Sequence, residues 1–277
     1  MAACPRPYAQ TLIKTRNTMT DSSDSELHKP EEDDSNTHPA LSRVDEITGV
    51  LREEILRGQY RPGERLPSER ELSTRFDSNR GAVRESLKKL EQMGIAIIKP
   101  GGVRVIPVEE ATLSILGHII DLHEIPDAKV VADLFEVLRA LITLSARNAV
   151  NAATDKDVIE MTAIVETMIT SLGDSVETQQ CWKKLSTLFT QISHNLVLRL
   201  ILNGLKTQFV SRLESKRPSI ELNQSADLKI LQRLREGIII RDSEAVSQAI
   251  SEHFTLLQNA VVSALTEAAK NTRSANV

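Results

Sequence analysis

Arg80, Arg84 and Lys88 recur at every fourth residue, which puts three cations on one face of a helix, while Val83, Leu87 and Leu90 fall on a separate apolar face. A helix built this way packs inward on its apolar side and meets phosphate oxygens on the other. A charged face alone is more simply a solvated surface. This one lies in a stretch, Arg65 to Arg104, where nine Lys and Arg face five Asp and Glu, within a chain of net charge −4. Nucleic-acid binding is therefore expected of a local basic patch, not of the chain as a whole. Catalytic chemistry has no comparable signal. There is no Gly-rich phosphate loop, no Gly-x-Ser-x-Gly and no His-Glu-x-x-His. The two cysteines, Cys4 and Cys181, have neither disulfide nor zinc spacing, and Cys181 reads as an inert buried thiol. The expectation is a binding protein with no enzymatic activity, no cofactor and no metal.

The cationic helix needs neighbours to hold it. Ser42 can cap a first helix whose apolar positions are Val44, Ile47, Val50, Leu51 and Ile55, stopped by Gly58. Arg61-Pro62-Gly63 is a turn, and Ser68 with Glu71 forms a capping box opening a second helix. Asp77-Ser78-Asn79 separate it from the third, expected over 80–92 and ended by Gly94. Two β-rich runs, 95–98 and 103–108, flank Pro100-Gly101-Gly102 and read as a hairpin. Three helices plus a β-hairpin wing make a winged helix-turn-helix over residues 42–107. With this context the basic face reads as a DNA-binding surface.

Residues 108–272 are almost free of strand signals. Amphipathic segments at 113–122, 130–150, 155–172, 182–205, 227–240 and 244–269 predict an all-α bundle of six or seven helices, so the fold class is mainly α. A composition 40% hydrophobic but only 3% aromatic calls for aliphatic helix packing. Residues 1–41 are acidic and polar, with Asp21, Asp24, Glu26 and Glu31 to Asp34 set among Ser, Thr and Pro, and are expected to be a disordered tail. Met19 is read as the native start. No apolar run reaches the roughly 18 residues of a membrane span, and a cytoplasmic location is expected.

The segment Arg61-Pro62-Gly63-Glu64-Arg65-Leu66-Pro67-Ser68-Glu69-Arg70-Glu71-Leu72 resembles the one that identifies GntR-type bacterial regulators. Asn79-Arg80-Gly81-Ala82-Val83-Arg84-Glu85-Ser86-Leu87, followed by Leu90-Glu91-Gln92-Met93-Gly94, is similar to their recognition helix and its exit. The resemblance implies that Arg70 contacts the operator, that Asn79, Arg80, Gly81 and Arg84 approach the major groove, and that Pro100, Gly101 and Gly102 form the wing tip in the minor groove. Lys88 joins them through the spacing of the basic face. Gly81 departs from the Ser, Thr or Pro common at that position, so one base contact is lost. The implied partners are a double-stranded, palindromic DNA operator and a second copy of the chain in a homodimer.

Further on, Val137-Leu138-Arg139 with Ala146-Arg147-Asn148-Ala149 resembles the opening of the FCD effector domain of the FadR subfamily. Ser193-His194-Asn195 and 200–206 look most like its fatty-acid-responsive branch. Many relatives hold a divalent metal there; their ligand positions correspond to Trp182, Ser186, Gln232 and His253, of which only His253 could serve, so a metal-free domain is expected. The resemblance implies a small-molecule effector, an acyl-CoA, fatty acid or small organic acid, bound near Arg139, Ser186, Gln232 and His253, with Arg139 as carboxylate or phosphate anchor. The competing expectation is a constitutive DNA-binding regulator whose solidly packed bundle only dimerises.

Overall fold

The computed structural model describes residues 42–210, 212–213 and 222–275. The acidic segment 1–41, with Met19, lies outside the described residues. The caps expected at Ser42 and Ser68 start α1 (Arg43–Leu56) and α2 (Glu69–Arg75), and Asn79, read only as part of a break, caps α3 (Arg80–Gln92). Ser68 and Glu71 close a full capping box, so two N–H groups that no helix carbonyl can reach are satisfied by side chains. Ile47, Leu51, Ile55, Leu72, Val83, Leu87 and Leu90 turn inward as one buried cluster.

The wing consists of β1 (Ala96–Lys99) and β2 (Gly102–Val105), antiparallel, with Lys99 opposite Gly102 and Ala96 opposite Val105. It is shorter than the expected 95–98 and 103–108. Gly102 enters the strand, leaving Pro100-Gly101 as a two-residue turn, and the chain past Val105 reaches Pro107, which opens a 3-10 turn at Val108–Glu110. The segment before α2 lies along the free edge of β2. Gly63 and Leu66 donate N–H bonds to Val105 and Val103, and Val105 donates to Glu64.

A 3-10 turn, Leu113–Ile115, runs into the short α4 (Leu116–Asp121). The helices α5 (Ala128–Ala152), α6 (Asp155–Thr170), α7 (Ser175–Ile192), α8 (Leu196–Leu205), α9 (Gln224–Ile240) and α10 (Ser243–Ala275) complete the bundle. The stretch read as one segment, 182–205, is two helices, the first starting at Ser175. Ser193-His194-Asn195 breaks it: His194 takes a left-handed φ of 49°, and Asn195 caps α8 by accepting from the Leu198 N–H at 3.0 Å. After α8 the chain continues as a π-helical turn, Lys206–Val210. Two apolar clusters fill the bundle. One is built on α5, α6, α7, α9 and α10, and the other gathers Ile120, Leu134, Phe135, Leu138, Leu205, Phe209 and Val261.

The short α4 belongs to both halves. Ile115 and Ile119 pack in the winged core, whereas Leu116 and Ile120 pack in the second bundle cluster beside Phe209. The helix and its leading turn are thus packed between the two cores.

Candidate nucleic-acid interface and effector cavity

The basic face expected from the sequence is exposed, and Arg70, Asn79, Arg80, Gly81, Arg84 and Lys88 all reach solvent. Asn79 spends its side-chain oxygen on the cap, accepting from the Ala82 N–H at 2.8 Å, and turns only its amide group outward. A β-carbon at Gly81 would stand 3.1 Å from that oxygen, so glycine keeps the cap tight. The first turn of α3 holds no acidic residue, which leaves its N–H groups and positive helix end open to an anion. Arg84 Nε lies 3.5 Å from Glu69, and Lys88 lies 2.9 Å from Glu85. Exposed pairs like these contribute about 0–1 kcal/mol each and exchange readily for phosphate. Pro100 and Gly101 are exposed at the wing tip, and Gly102 is half-buried beside them.

The nine cations of the basic stretch divide on their contacts. Arg75 pairs with Glu54, Lys89 with Asp45, and Arg104 donates to the Gly63 carbonyl at 2.9 Å. With Arg84 and Lys88 also paired, Arg65, Arg70, Arg80 and Lys99 make no ion pair with a described residue.

Inside the bundle a cavity of about 960 Å³ opens between α5, α7, α8, α9 and α10. From α7 it takes Thr178, Trp182, Ser186 and Thr190, which stand four residues apart and form one helix stripe. Phe135, Leu138, Phe209, Leu213 and Leu257 supply an apolar wall, and Lys183, Lys206, Asn203 and Gln224 a polar one. The lining also includes two buried ionisable groups. His253 donates from Nδ1 to Asp227 Oδ1 at 3.0 Å, with both side chains less than a tenth exposed. The Trp182 ring stacks on the imidazole with centroids 3.8 Å apart, and its buried Nε1–H finds no acceptor among the described residues. His253 Nε2 is left uncommitted among those residues.

Of the four expected effector residues, the cavity brings together two, Ser186 and His253. Gln232 is exposed: five residues past Asp227 on α9, it stands about 140° around the helix from the cavity side. Arg139 lies outside the lining, and its Nη1–H is spent on Thr255 Oγ1 of α10 at 2.9 Å. Sequence reasoning missed Asp227, the partner of His253, which no local pattern marks. It also missed Thr178 and Thr190, which the four-residue stripe through Ser186 could have shown. Among the described residues no group of three His, Cys, Asp or Glu could hold a metal ion.

Between cavity and winged unit lies a cluster of charges around α4. Arg212, one residue before the cavity-lining Leu213, places Nη1 2.8 Å from Asp121 Oδ2. The backbones meet at Gly117, where a β-carbon would stand 2.6 Å from the Gln208 carbonyl oxygen and 2.4 Å from Arg212 Nη1. From the winged side Arg57 donates to the Leu122 carbonyl at 3.1 Å. Half-buried Arg52 adds charge, its guanidinium pKa lowered by burial and then by Arg212.

Burial, then the charges of Arg52 and Arg212, holds His118 at about 4, against an ordinary value near 6.5, with Asp121 opposing. Below pH 6.5 the unfolded chain takes up a proton there that the folded chain refuses. Stability is therefore lost as pH falls from about 6.5 towards 4. A melting-temperature profile should drop less steeply over that window in His118→Gln than in the parent chain, and parallel profiles would remove His118 from this role.

Residues 43–105 match the family described as bacterial regulatory proteins, gntR family, and residues 133–256 match the FCD domain. An HTH-type transcriptional regulator of Mycobacterium tuberculosis is 33% identical over 138 residues, 46% of this chain and 53% of that protein. The Uxu operon transcriptional regulator of Escherichia coli is 34% identical over 42% of this chain and 44% of its own length. The galactonate operon transcriptional repressor of Escherichia coli is 24% identical over 76% of this chain and 92% of its own. The match thus spans about half the length of the first two relatives and most of the third. Among the described residues no helix is long and apolar enough to cross a membrane.

Proposed function

The chain belongs to the gntR family of bacterial regulatory proteins, carrying a gntR domain followed by an FCD domain, and on that premise we propose that it is a ligand-responsive regulator that binds a palindromic operator as a cytoplasmic homodimer. It is a transcriptional regulator, not an enzyme. The observation that carries the ligand response is the cavity, because a bundle serving only to dimerise has no use for about 960 Å³ of space lined by a buried Asp227–His253 pair. That weighs against the constitutive alternative. Two-fold pairing is supported by the geometry of reading: one recognition helix covers half a site, and a symmetry axis doubles the contacts while setting their spacing.

The effector class that fits is an organic anion with an apolar portion. Lys183 and Lys206 offer positive charge on one wall, and Phe135, Phe209 and Leu257 offer apolar surface on the other. Fatty acids, acyl-CoAs and small organic acids with an apolar portion share this chemistry. Ser186, His253 and Trp182 are the proposed contacts.

A gel shift with duplexes selected from a random pool should give a dimer-sized complex that weakens steeply with salt. Arg80→Ala should reduce the salt slope by about one ion per subunit. Trp182 is the single tryptophan, so its fluorescence reports the cavity directly. Titration with the three acid classes should perturb it with one of them, and that compound should shift the DNA affinity. A monomer without preference over random DNA, or a fluorescence indifferent to all three, would remove this reading.

A further inference from the structure

Arg65 lies outside every DNA-contact role the family resemblance implied, yet its position is unlike that of an ordinary surface arginine. Its backbone pairs across β2 as an antiparallel bridge with Arg104, and the flanking Gly63 and Leu66 N–H bonds fasten the strand-like segment to the wing. From that fixed base the side chain crosses the wing at its tip. A β-carbon on Gly102 would fall 2.4 Å from Arg65 Nε and 2.9 Å from Cζ, so the guanidinium lies directly on the glycine backbone. Gly102 has a φ of 129°, a conformation open to glycine, and its missing side chain is the room the guanidinium occupies. Gly101, beside it, faces open space.

The guanidinium is exposed and makes no hydrogen bond or ion pair with a described residue. Its charge is felt at the start of α2. Glu71 is held below the usual carboxylate range, first by Ser68 and then by the charges of Arg65 and Arg70. Arg65 therefore bridges the wing tip and the α2 end that carries Arg70. A packed but uncommitted guanidinium, held flat against a bare glycine tip, is shaped to enter a narrow anionic groove. Arginine suits that place better than lysine because it is more weakly hydrated and loses less in leaving water.

We propose that Arg65 is a DNA contact of the wing, entering the minor groove beside Gly101 and Gly102 and favouring the narrow groove of A·T-rich sequence. This rests on the DNA-binding reading above. It implies that part of the operator preference comes from groove width next to each half-site, where no base edge is read.

The test compares wild type, Arg65→Ala and Arg65→Lys by fluorescence anisotropy. The duplexes are those selected by the wild-type protein from a random pool, made with either A·T or G·C pairs under the wing. Wild type should prefer the A·T version. Arg65→Ala should bind it about tenfold more weakly and lose the preference, with a salt slope lower by about one ion per subunit. Arg65→Lys should keep the salt slope yet lose most of the preference. Equal weakening on both duplexes, together with a lowered melting temperature, would make Arg65 a support of the wing alone and overturn the proposal. Unchanged preference in both variants would overturn it as well. Failure of the wild-type protein to select any sequence would remove the DNA-binding reading itself, and this inference with it.

Discussion

Replacing His253 with alanine is expected to lower the unfolding free energy by about 3 kcal/mol, because it strands the Asp227 carboxylate in the bundle interior. Asp227 and His253 are both less than a tenth exposed and meet through one hydrogen bond, and the imidazole also carries the stacked Trp182 ring. Removing the ring takes away the hydrogen bond and the stack together. A melting temperature lower by about 5–10 °C should accompany the loss. The distinguishing measurement is the double variant Asp227→Ala/His253→Ala. If an unpaired buried charge causes the loss, the double variant should be more stable than His253→Ala alone. Additive losses would show that the pair contributes nothing as a pair. Trp182 fluorescence should change in His253→Ala even without ligand, since the imidazole stacked on the indole is gone.

Gly117→Ala should uncouple the effector cavity from DNA while leaving each able to bind. The added carbon would collide with the Gln208 carbonyl oxygen at 2.6 Å and with Arg212 Nη1 at 2.4 Å. A side-chain tip can swing aside, but the carbonyl belongs to the π-helical turn Lys206–Val210, so α4 and that turn must separate. Such overpacking costs about 1–3 kcal/mol. The turn carries Lys206 and Phe209 into the cavity, and α4 carries Ile115 and Ile119 into the winged core, directly or through its leading turn. A ligand alters DNA affinity only by favouring one of two arrangements, and under the proposed ligand response this contact, joining the cavity-lining turn to α4, is the route under test. Wild-type coupling of the usual five- to 150-fold size should fall below about threefold in Gly117→Ala. Reciprocity offers the check: the ligand affinity read by Trp182 should no longer depend on whether DNA is present. Undiminished coupling would move the route elsewhere. π-helical turns recur at functional sites, in keeping with such a role.

Much of the winged unit is legible without coordinates because its determinants are local. A capping residue, a helical period and a glycine stop act within a few residues, so Ser42, Ser68, Asn79 and Gly58 mark α1 to α3 closely. The hairpin was legible in kind but displaced at its ends, since Pro100-Gly101-Gly102 permits more than one pairing and only the edge segment 63–66 selects Lys99 opposite Gly102. The break at Ser193-His194-Asn195 was not legible. It relies on His194 adopting φ 49°, a conformation that packing imposes and that residue type only weakly suggests.

The effector side divides along the same line. The amino-acid pattern determined that α5, α7, α9 and α10 exist and which faces are apolar, because periodicity is written along the chain. Only the tertiary structure decided which residues of those faces meet. It joined Asp227 to His253 across 26 positions and Arg139 to Thr255 across 116, and it turned Gln232 outward. Arg65 makes the same point at the DNA face. Its type and its place two residues past the Arg61-Pro62-Gly63 turn were visible from the start, but its role depends on a glycine 37 residues later that leaves room for a guanidinium. That room is a property of two segments packed side by side, which no periodicity within either one encodes.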